Sequence, residues 1–331
     1  MDASLRAAAG GDEQAFRLLT EPHCRALHLH CYRMLGSLHD ADDALQETLL
    51  RAWQSLDRFE PRSPLAAWLH RIATNVCLTA LARRRRRREI PTAQAGEAVW
   101  SEELLHLQPY PDRLLDELEG ESPNPEARYA LRESVALAFI TAMQLLPAKQ
   151  RAVLILRDVL GWSAKETAAT LEDSVAAVNS ALQRARESIE RAQSVGAPAH
   201  ASAGGDIDRR LLRRFMEAWD AVDIDGIVTL LARDALMTMP PVPMHVSGAQ
   251  AIGEFFASVP AGGRLGEIRL VLTGANRQPA LAAYMRDPAD GIYRAYGVMV
   301  FALKGDSIAG IVGFAEASVF ERFGLPLDLE E

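Results

Sequence analysis

Apolar residues recur at helical spacing through roughly the first 85 positions of the chain. The clearest case predicts a helix from about Asp40 to Phe59, with Asp40 as its N-cap and an apolar face made of Leu45, Leu49, Ala52, Leu56 and Phe59. A stretch with two prolines at 60–64 separates it from a second helix, which ends in the arginines at 83–88. Residues 1–90 are therefore predicted to form an all-α domain.

The helical pattern is lost after Glu89 and returns near Pro125. Residues 91–134 hold ten Asp or Glu against three Lys or Arg and are interrupted by Pro and Gly, which is typical of a linker. Residues 135–193 form a second predicted all-α domain, and 194–205, rich in Ala, Gly and Ser, a flexible tether. The helices predicted over the second block cover about 125–145, 148–158, 164–171 and 175–189.

After Asp206 the pattern changes from helices to short strands. One or two helices over about 209–232 and a further helix at 249–258 accompany runs of β-forming residues. This alternation predicts that 206–331 form an α+β domain with a curved antiparallel sheet. The predicted strands are 235–239, 267–272, 280–284, 295–303 and 308–316.

Composition narrows the functional classes. The net charge of −8 disfavours a polyanion partner, but the acid lies in the linker and the last domain, whereas residues 1–90 carry +3 and 135–195 carry +1. Three cysteines do not make a disulfide framework, which favours the reducing cytoplasm. No apolar run comes near the length of a membrane span, and the N-terminus lacks the pattern of a secretion signal. We therefore expect a cytoplasmic protein without a membrane partner.

Residues 162–186 have the pattern of a helix-turn-helix. Val175, Val178 and Leu182 are predicted to face inward on the second helix, and Ser174 is its N-cap. Such a helix can enter the major groove and read bases or bind phosphates. The alternative is an ordinary helical hairpin. The residues predicted to contact DNA from this motif are Ser174, Ala177, Asn179, Ser180, Gln183, Arg184 and Arg186.

A second basic feature is the run of six consecutive arginines at the end of the first block. Each guanidinium can pair with a phosphate and release a counterion. The alternative is a solvated charge run at a helix C-terminus, where cations also complement the helix dipole. We favour contact with a polyanion for Arg83, Arg84, Arg85, Arg86, Arg87 and Arg88.

Two blocks resemble the sigma-70 family of transcription initiation factors. Residues 23–88 resemble its region two through Leu38–Thr48, Arg51–Trp53 and Trp68–Asn75, and residues 145–190 resemble region four through Leu146–Val153 and Ser174–Arg186. The order of the blocks, with no region three between them, is similar to the extracytoplasmic-function class. The resemblance implies core RNA polymerase and promoter DNA as partners, with an anti-sigma factor or a small ligand of the C-terminal domain as further candidates.

The resemblance also implies roles for individual residues. An acidic helix with Asp42, Asp43, Gln46 and Glu47 would dock on the β′ coiled coil of the polymerase. The melted minus-ten element would be held by Arg58, Arg62, Trp68, Arg71 and Asn75, since flipped bases are captured by pockets and stacking. Region four would contact the minus-35 element, although only Arg184 and Arg186 supply cations there. Trp53 is expected in the core, and the place of Trp68 stays open.

Residues 206–331 resemble the SnoaL-like cone-shaped α+β fold, on the segments Phe215–Asp220, Leu230–Ala235, Met237–Pro241 and Gly248–Ile252. Relatives of that fold include isomerases and cyclases, for which His245, Asp220, Asp223 and Glu316 are the candidate acid/base residues. A lone His beside prolines is usually structural, so we expect no catalytic residue and no enzyme. The alternatives are a helix-turn-helix regulator fused to a ligand-binding or isomerase-like domain, and a repressor that senses a small molecule.

Two further clusters of residues suggest sites. Cys24, His28 and Cys31 lie at i, i+4 and i+7, a spacing that zinc accepts, but buried cysteines on a core face are commoner, so we expect no metal and no cofactor. Apolar residues in the acidic linker suggest docking on the C-terminal domain and regulation in cis. The alternative is local packing against region two. The residues proposed for this regulatory contact are Trp100, Leu107 and Tyr110.

Overall fold

The computed structural model describes residues 3–59, 64–88, 106–120, 125–194 and 206–330. The chain divides into two compact units. The first joins residues 1–97 to 140–191, and the second joins 98–139 to 192–331. The boundary near 139 falls inside a helix, so the start of the second α-helical block belongs to the same unit as the C-terminal domain.

The first unit is helical. The first three of its helices after the short α1 pack on one another, with Leu27, Tyr32, Leu38 and Leu69 fully or almost fully buried between them. Asp12 caps α2 at its start, and Gly36, at φ 75°, ends that helix in the left-handed conformation. The helices of this unit are α1 (Ala3–Ala9), α2 (Glu13–Leu35), α3 (Leu38–Ser55), α4 (Leu65–Arg88), α7 (Leu137–Gln144), α8 (Ala148–Leu154), α9 (Ala164–Leu171) and α10 (Val175–Ser194).

Some predicted helix boundaries are wrong. The N-cap of α3 is Ser37, whose hydroxyl accepts from the backbone N of Asp40 at 3.2 Å, so Asp40 lies inside the helix. Its α-helical part ends at Ser55, and Leu56–Arg58 form a 3-10 turn. The helix expected over 125–145 is two helices, because the chain turns at 134–136. Residues 155–159 continue α8 as a π-helical turn.

Helix α4 bears on whether the chain contains a segment that could span a membrane. By length and mean hydropathy, 1.2, its residues Leu65–Arg86 could cross a membrane, so the expectation that no run approaches that length is wrong. The helix packs against α2 and α3, and the core helix of a water-soluble domain meets the same criterion. The length of α4 is therefore weak evidence for a membrane span.

The second unit is built on a mixed sheet with the strand order β2-β1-β6-β5-β4-β3, with β7 pairing with β5. Strand β1 pairs in parallel with β6, so the expected purely antiparallel sheet is wrong. Phe215, Trp219, Phe256 and Phe301 form an aromatic core between helices and sheet. The strands are β1 (Leu231–Met239), β2 (Val242–Ser247), β3 (Ile268–Ala275), β4 (Gln278–Arg286), β5 (Tyr293–Lys304), β6 (Ser307–Phe314) and β7 (Asp328–Leu329).

Strand β2 was not predicted, because residues 240–243 contain three prolines and read as a loop. The strand lies at the edge of the sheet, where a proline does not interrupt a ladder of hydrogen bonds. His245 is therefore an exposed strand residue and not a loop residue. The helices of the second unit are α5 (Asp112–Gly120), α6 (Pro125–Glu133), α11 (Asp206–Asp220), α12 (Ile224–Leu230), α13 (Ala249–Ser258) and α14 (Phe320–Phe323).

Candidate nucleic-acid and polymerase interfaces

The helix-turn-helix is formed by α9 and α10. Ser163 and Glu166 form a capping box at the start of α9, with the Ser163 N–H donating to the Glu166 carboxylate at 2.8 Å. Hydrogen bonds from Ser163 lower the pKa of Glu166. Glu172 ends α9 in the left-handed conformation, φ 51°, which turns the chain toward α10. The local sequence thus sets the angle at which α10 leaves the motif.

Five of the residues predicted to read DNA are exposed on α10: Asn179, Ser180, Gln183, Arg184 and Arg186. The hydroxyl of Ser174 accepts from the backbone N of Ala177 at 3.1 Å and so caps the helix. Ala177 is half-buried. The exposed face can therefore offer amide, hydroxyl and guanidinium donors to bases and phosphates.

On α10, Val175 differs from the prediction, and Arg186 has an intramolecular partner. Arg186 donates two hydrogen bonds to Asp158, at 2.8 and 2.7 Å, and this pairing raises the pKa of the guanidinium. Val175, expected to face inward, is 44% exposed, and the fully buried Ala185 contributes to the inner face instead. Of the two cations predicted for this face, Arg184 and Arg186, only Arg184 has no ion pair among the described residues.

The predicted minus-ten surface lies partly on α4. Arg58, Arg71 and Asn75 are exposed, and Trp68 is half-buried, with its ring 5.0 Å from that of Phe59. Trp68 thus belongs to a small apolar cluster and still has an accessible edge. Arg62 lies outside the described residues.

The arginine run is not uniformly solvated. Arg84 is partly buried and forms an ion pair with Asp40 of α3, so one cation of the run has an intramolecular partner. This pairing could not be read from the sequence, because the two residues are 44 positions apart. The exposed members are Arg83, Arg85 and Arg86, and the side chains of Arg87 and Arg88 lie outside the described residues.

The acidic helix α3 separates the predicted polymerase-binding residues into two kinds. Asp43 and Gln46 are exposed. Asp42 is half-buried, with its carboxylate 3.2 Å from Nε2 of His28, and Glu47 accepts from Nε of Arg51 at 2.7 Å. Asp42 therefore also supports the fold.

Sequence reasoning missed the contact that joins the two α-helical blocks within the first unit. The last carbonyls of α2 lack intrahelical partners. Gln144 donates to the carbonyl of Arg33 at 3.3 Å, and the buried guanidinium of Arg151 donates to the carbonyl of Met34. Arg151 also binds the Gln144 carbonyl at 2.8 Å and the Leu146 carbonyl at 3.2 Å. Regions two and four are thus held together by capping hydrogen bonds.

A histidine pair lies in the same unit. The rings of His30 and His70 are 5.3 Å apart, Nε2 of His30 is 2.9 Å from the Thr74 hydroxyl, and Nδ1 of His70 is 2.8 Å from the Ala66 carbonyl. Burial lowers the pKa of both imidazoles, and the pKa of His30 lies well below its ordinary range. Both rings are therefore neutral at neutral pH.

The linker packs on the C-terminal domain through the turn between β3 and β4. The side chain of Asn276 accepts from the backbone N of Tyr110 at 2.8 Å and donates to the carbonyl of Val135 at 2.7 Å. Gln278 accepts from the backbone N of Leu137 at 2.9 Å, at the first residue of α7. One hairpin therefore binds both ends of the segment 110–137.

Further contacts extend this docking. Gln108 donates to both carboxylate oxygens of Glu316, at 2.8 and 2.9 Å, and Arg277 pairs with Asp116 at 2.6 Å. Of the residues predicted for a regulatory contact, Leu107 and Tyr110 are buried, 4% and 1% exposed, and Trp100 lies outside the described residues. The described part of the linker is therefore a structural part of the second unit.

An apolar cavity of about 90 Å³ opens in the C-terminal domain. Its walls include Trp219, Met237, Met239 and Met299, and Tyr296 contributes a phenol. None of the candidate acid/base residues lines it. Asp223 caps α12, Glu316 binds Gln108, and Asp220 and His245 are exposed.

The candidate zinc ligands have separate partners. The thiol of Cys24 is 3.4 Å from the Thr20 carbonyl, and His28 faces Asp42. Cys31 is fully buried beside Cys77, whose pKa burial raises well above its ordinary value. Among the described residues, no group of three or more potential ligands is arranged to hold a metal ion.

Comparison with known proteins identifies the family of the chain. Family models match three segments: Sigma-70 region 2 at residues 19–87, Sigma-70, region 4 at 136–189 and SnoaL-like domain at 212–311. The chain is 41% identical over 339 residues to the ECF RNA polymerase sigma factor SigG of Mycobacterium tuberculosis, covering 98% of this chain and 90% of the relative. The ECF sigma factor SigM of the same organism is 32% identical over 191 residues, covering 57% and 83%.

A solved structure shows the same fold. The extracytoplasmic function sigma factor SigJ of Mycobacterium tuberculosis aligns with a TM-score of 0.60 at 20% identity, covering 93% of this chain and 99% of that one. The expected α-helical blocks and C-terminal SnoaL-like domain are confirmed. The chain belongs to the extracytoplasmic-function RNA polymerase sigma factors, which act with core RNA polymerase on promoter DNA to initiate transcription.

Proposed function

We propose that this sigma factor works in the cytoplasm, reads promoters with the exposed faces of α4 and α10, and is restrained in cis by its docked linker. Asn179, Gln183 and Arg184 would contact the minus-35 element, and Arg71 and Asn75 the melted minus-ten element. These side chains are exposed and carry donors suited to bases and phosphates. Asp43 and Gln46 would dock on the polymerase.

We further propose that the C-terminal domain is not an enzyme. The cavity walls carry carbon and sulfur atoms, one phenol and the indole of Trp219, whose N–H already donates to the Ile268 carbonyl at 2.9 Å. General acid/base catalysis near neutral pH is carried most often by an imidazole or a carboxylate within hydrogen-bond reach of the substrate. The lining residues offer no carboxylate or imidazole for that role.

The single observation that carries the regulatory proposal is that Asn276 binds Tyr110 and Val135 together. Because positions 110 and 135 are bound to the same side chain, the roughly 25 residues between them add almost nothing to the end-to-end length of the linker. The 22 peptide steps from Arg88 to Tyr110 span at most about 75 Å when fully extended, and about 26 Å as a random coil. Docking therefore shortens the usable connection between regions two and four.

Promoter binding requires that the two regions separate. The minus-ten and minus-35 elements are about 25 base pairs apart by their positions, which is about 85 Å of B-form DNA. In the first unit α4 contacts α8, and a domain the size of region four is only about 25 Å across. The bonds from Gln144 and Arg151 to α2 must break, and a docked linker must stretch almost fully. Both requirements disfavour the promoter complex, so undocking the linker is expected to raise activity.

Run-off transcription with core polymerase and a promoter library tests this proposal. The full chain should initiate from a restricted promoter set, and Asn276→Gly should give more transcript at equal sigma concentration. Asp306→Gly, in the β5–β6 turn, is the matched control, because Asp306 is exposed and makes no linker contact among the described residues. Failure of all three proteins on every promoter contradicts the promoter-reading proposal, and equal or lower activity of Asn276→Gly contradicts restraint by the linker.

A further inference from the structure

Four arginines cover one face of α11 in the C-terminal domain. Arg209, Arg210, Arg213 and Arg214 are all exposed, while Leu211, Leu212 and Phe215 on the opposite face are buried in the core. At 100° per residue the four side chains span an arc of about 140° over about one and a half turns of helix. They hold a third of the Lys and Arg of residues 196–331, which have 12 such residues against 17 Asp and Glu. The rest of the domain is therefore strongly acidic, and this face, which we call the basic face, is locally cationic.

The basic face is not neutralised by the described residues around it. None of its four guanidinium groups forms an ion pair with a described carboxylate, whereas other arginines of the domain, such as Arg294 with Asp287 at 3.1 Å, do. Glu217 follows on the same face and is exposed, and it forms no ion pair with any described residue. The cluster is therefore an available electrostatic surface.

The arrangement is also unfavourable for the helix itself. Arg209 with Arg213, and Arg210 with Arg214, are like charges at i, i+4, and Arg209 and Arg210 lie near the positive end of the helix dipole. Each such pair destabilises an isolated helix by a few tenths of a kcal/mol. A polyanion bound to this face would remove that repulsion.

We propose that the basic face of α11 binds the phosphate backbone of duplex DNA, as a DNA contact separate from those of regions two and four. The occupant follows from charge complementarity and from covalent connection. Helix α10, the second helix of the helix-turn-helix, ends at Ser194, and α11 begins at Asp206. Whatever its conformation, the chain between them spans at most about 40 Å, the length of about 12 base pairs. DNA held by region four is thus within reach of the basic face at a local concentration in the millimolar range.

A phosphate contact has a measurable signature that other roles of these residues lack. Each phosphate neutralised by Lys or Arg contributes about −0.9 to the slope of log Kobs against log salt concentration. Because such contacts are independent of sequence, a 60-base-pair duplex of random sequence is the probe, and the test does not depend on knowing the promoter. The protein is full-length sigma factor bound to core polymerase, and DNA binding is followed by fluorescence anisotropy between 50 and 300 mM salt.

The fourfold variant Arg209→Gln/Arg210→Gln/Arg213→Gln/Arg214→Gln should bind with a slope shallower by about 2 to 3.6. The double variant Arg209→Gln/Arg213→Gln should lose about half of that. Arg233→Gln/Lys304→Gln is the control for the double variant, because it removes the same charge from two exposed positions on β1 and β5 and should leave the slope unchanged. Thermal melting should show each variant to be at least as stable as the parent, since the changed side chains are exposed and the variants of the basic face lose like-charge repulsion.

A photocrosslinking amino acid at position 213 of the full chain identifies the partner directly. Cross-links to a labelled DNA strand are expected in the polymerase complex, and none from position 233. Slopes that are equal in the fourfold variant and the parent overturn the proposal. So does cross-linking to a polymerase subunit with no cross-link to DNA, which would show that the face binds an acidic protein surface. Loss of promoter selectivity with the slopes as predicted would overturn only the promoter-reading proposal.

Discussion

Replacing Asn276 by glycine removes the side chain that joins two linker segments and keeps the turn. Asn276 has φ 56°, a conformation that glycine adopts without strain, so the effect is confined to the lost hydrogen bonds. The Tyr110 N–H and the Val135 carbonyl then lack their partners, and Tyr110 is only 1% exposed. An unsatisfied buried polar group costs about 1–3 kcal/mol, so the two lost partners together should weaken docking by about 2–6 kcal/mol. The undocked fraction should rise by at least about 30-fold.

Native-state hydrogen exchange measures this opening. The informative amide is that of Leu137, which donates to the side chain of Gln278 at 2.9 Å. Its exchange should accelerate by the factor above in Asn276→Gly and stay unchanged in Asp306→Gly. Exchange at Leu137 that is as slow in Asn276→Gly as in the parent would refute the reasoning, because it would show that the linker is held by contacts independent of the hairpin.

Three further predictions concern the first unit. Burial lowers the pKa of His30 and His70 below 6.5, so the unfolded state binds more protons than the folded state at acid pH. The free energy of unfolding should therefore fall as the pH drops below about 6.5, by up to about 1.4 kcal/mol per pH unit for each histidine. Urea midpoints that do not change from pH 7.5 to 5.5 would contradict this. Arg151→Met should lower the free energy of unfolding, measured by urea denaturation, by about 3 kcal/mol, because buried carbonyls lose their donors. A loss under about 1 kcal/mol would show that the contact is dispensable. The double variant Asp43→Ala/Gln46→Ala should bind core polymerase more weakly in a titration. Its free energy of unfolding should change by under about 0.5 kcal/mol, since both side chains are exposed. Unchanged affinity would place the docking face elsewhere.

Local signals in the sequence were sufficient for several elements. The boundaries predicted for α9 and α13 agree with the structure, because the Ser163 cap and the apolar spacing lie within a few residues of each helix. The helix-turn-helix and the two sigma blocks were identified from motifs of the same short range, and the family comparisons confirm them. Strand β2 was missed because its proline, Pro243, is compatible with a strand only at a sheet edge, and edge position is a property of the assembled sheet.

The amino-acid sequence by itself determined the order of the blocks, the helix-turn-helix and the family, because these depend on residues close together in the chain. Only the tertiary structure decided which polar groups are already occupied. Arg186 is paired with Asp158, 28 positions away, and Asn276 bonds to Tyr110 across 166 positions. The apolar linker residues were equally compatible with packing on region two or on the C-terminal domain. Hydrogen bonding decided between them, because a buried N–H or carbonyl needs a partner and the β3–β4 turn supplies it.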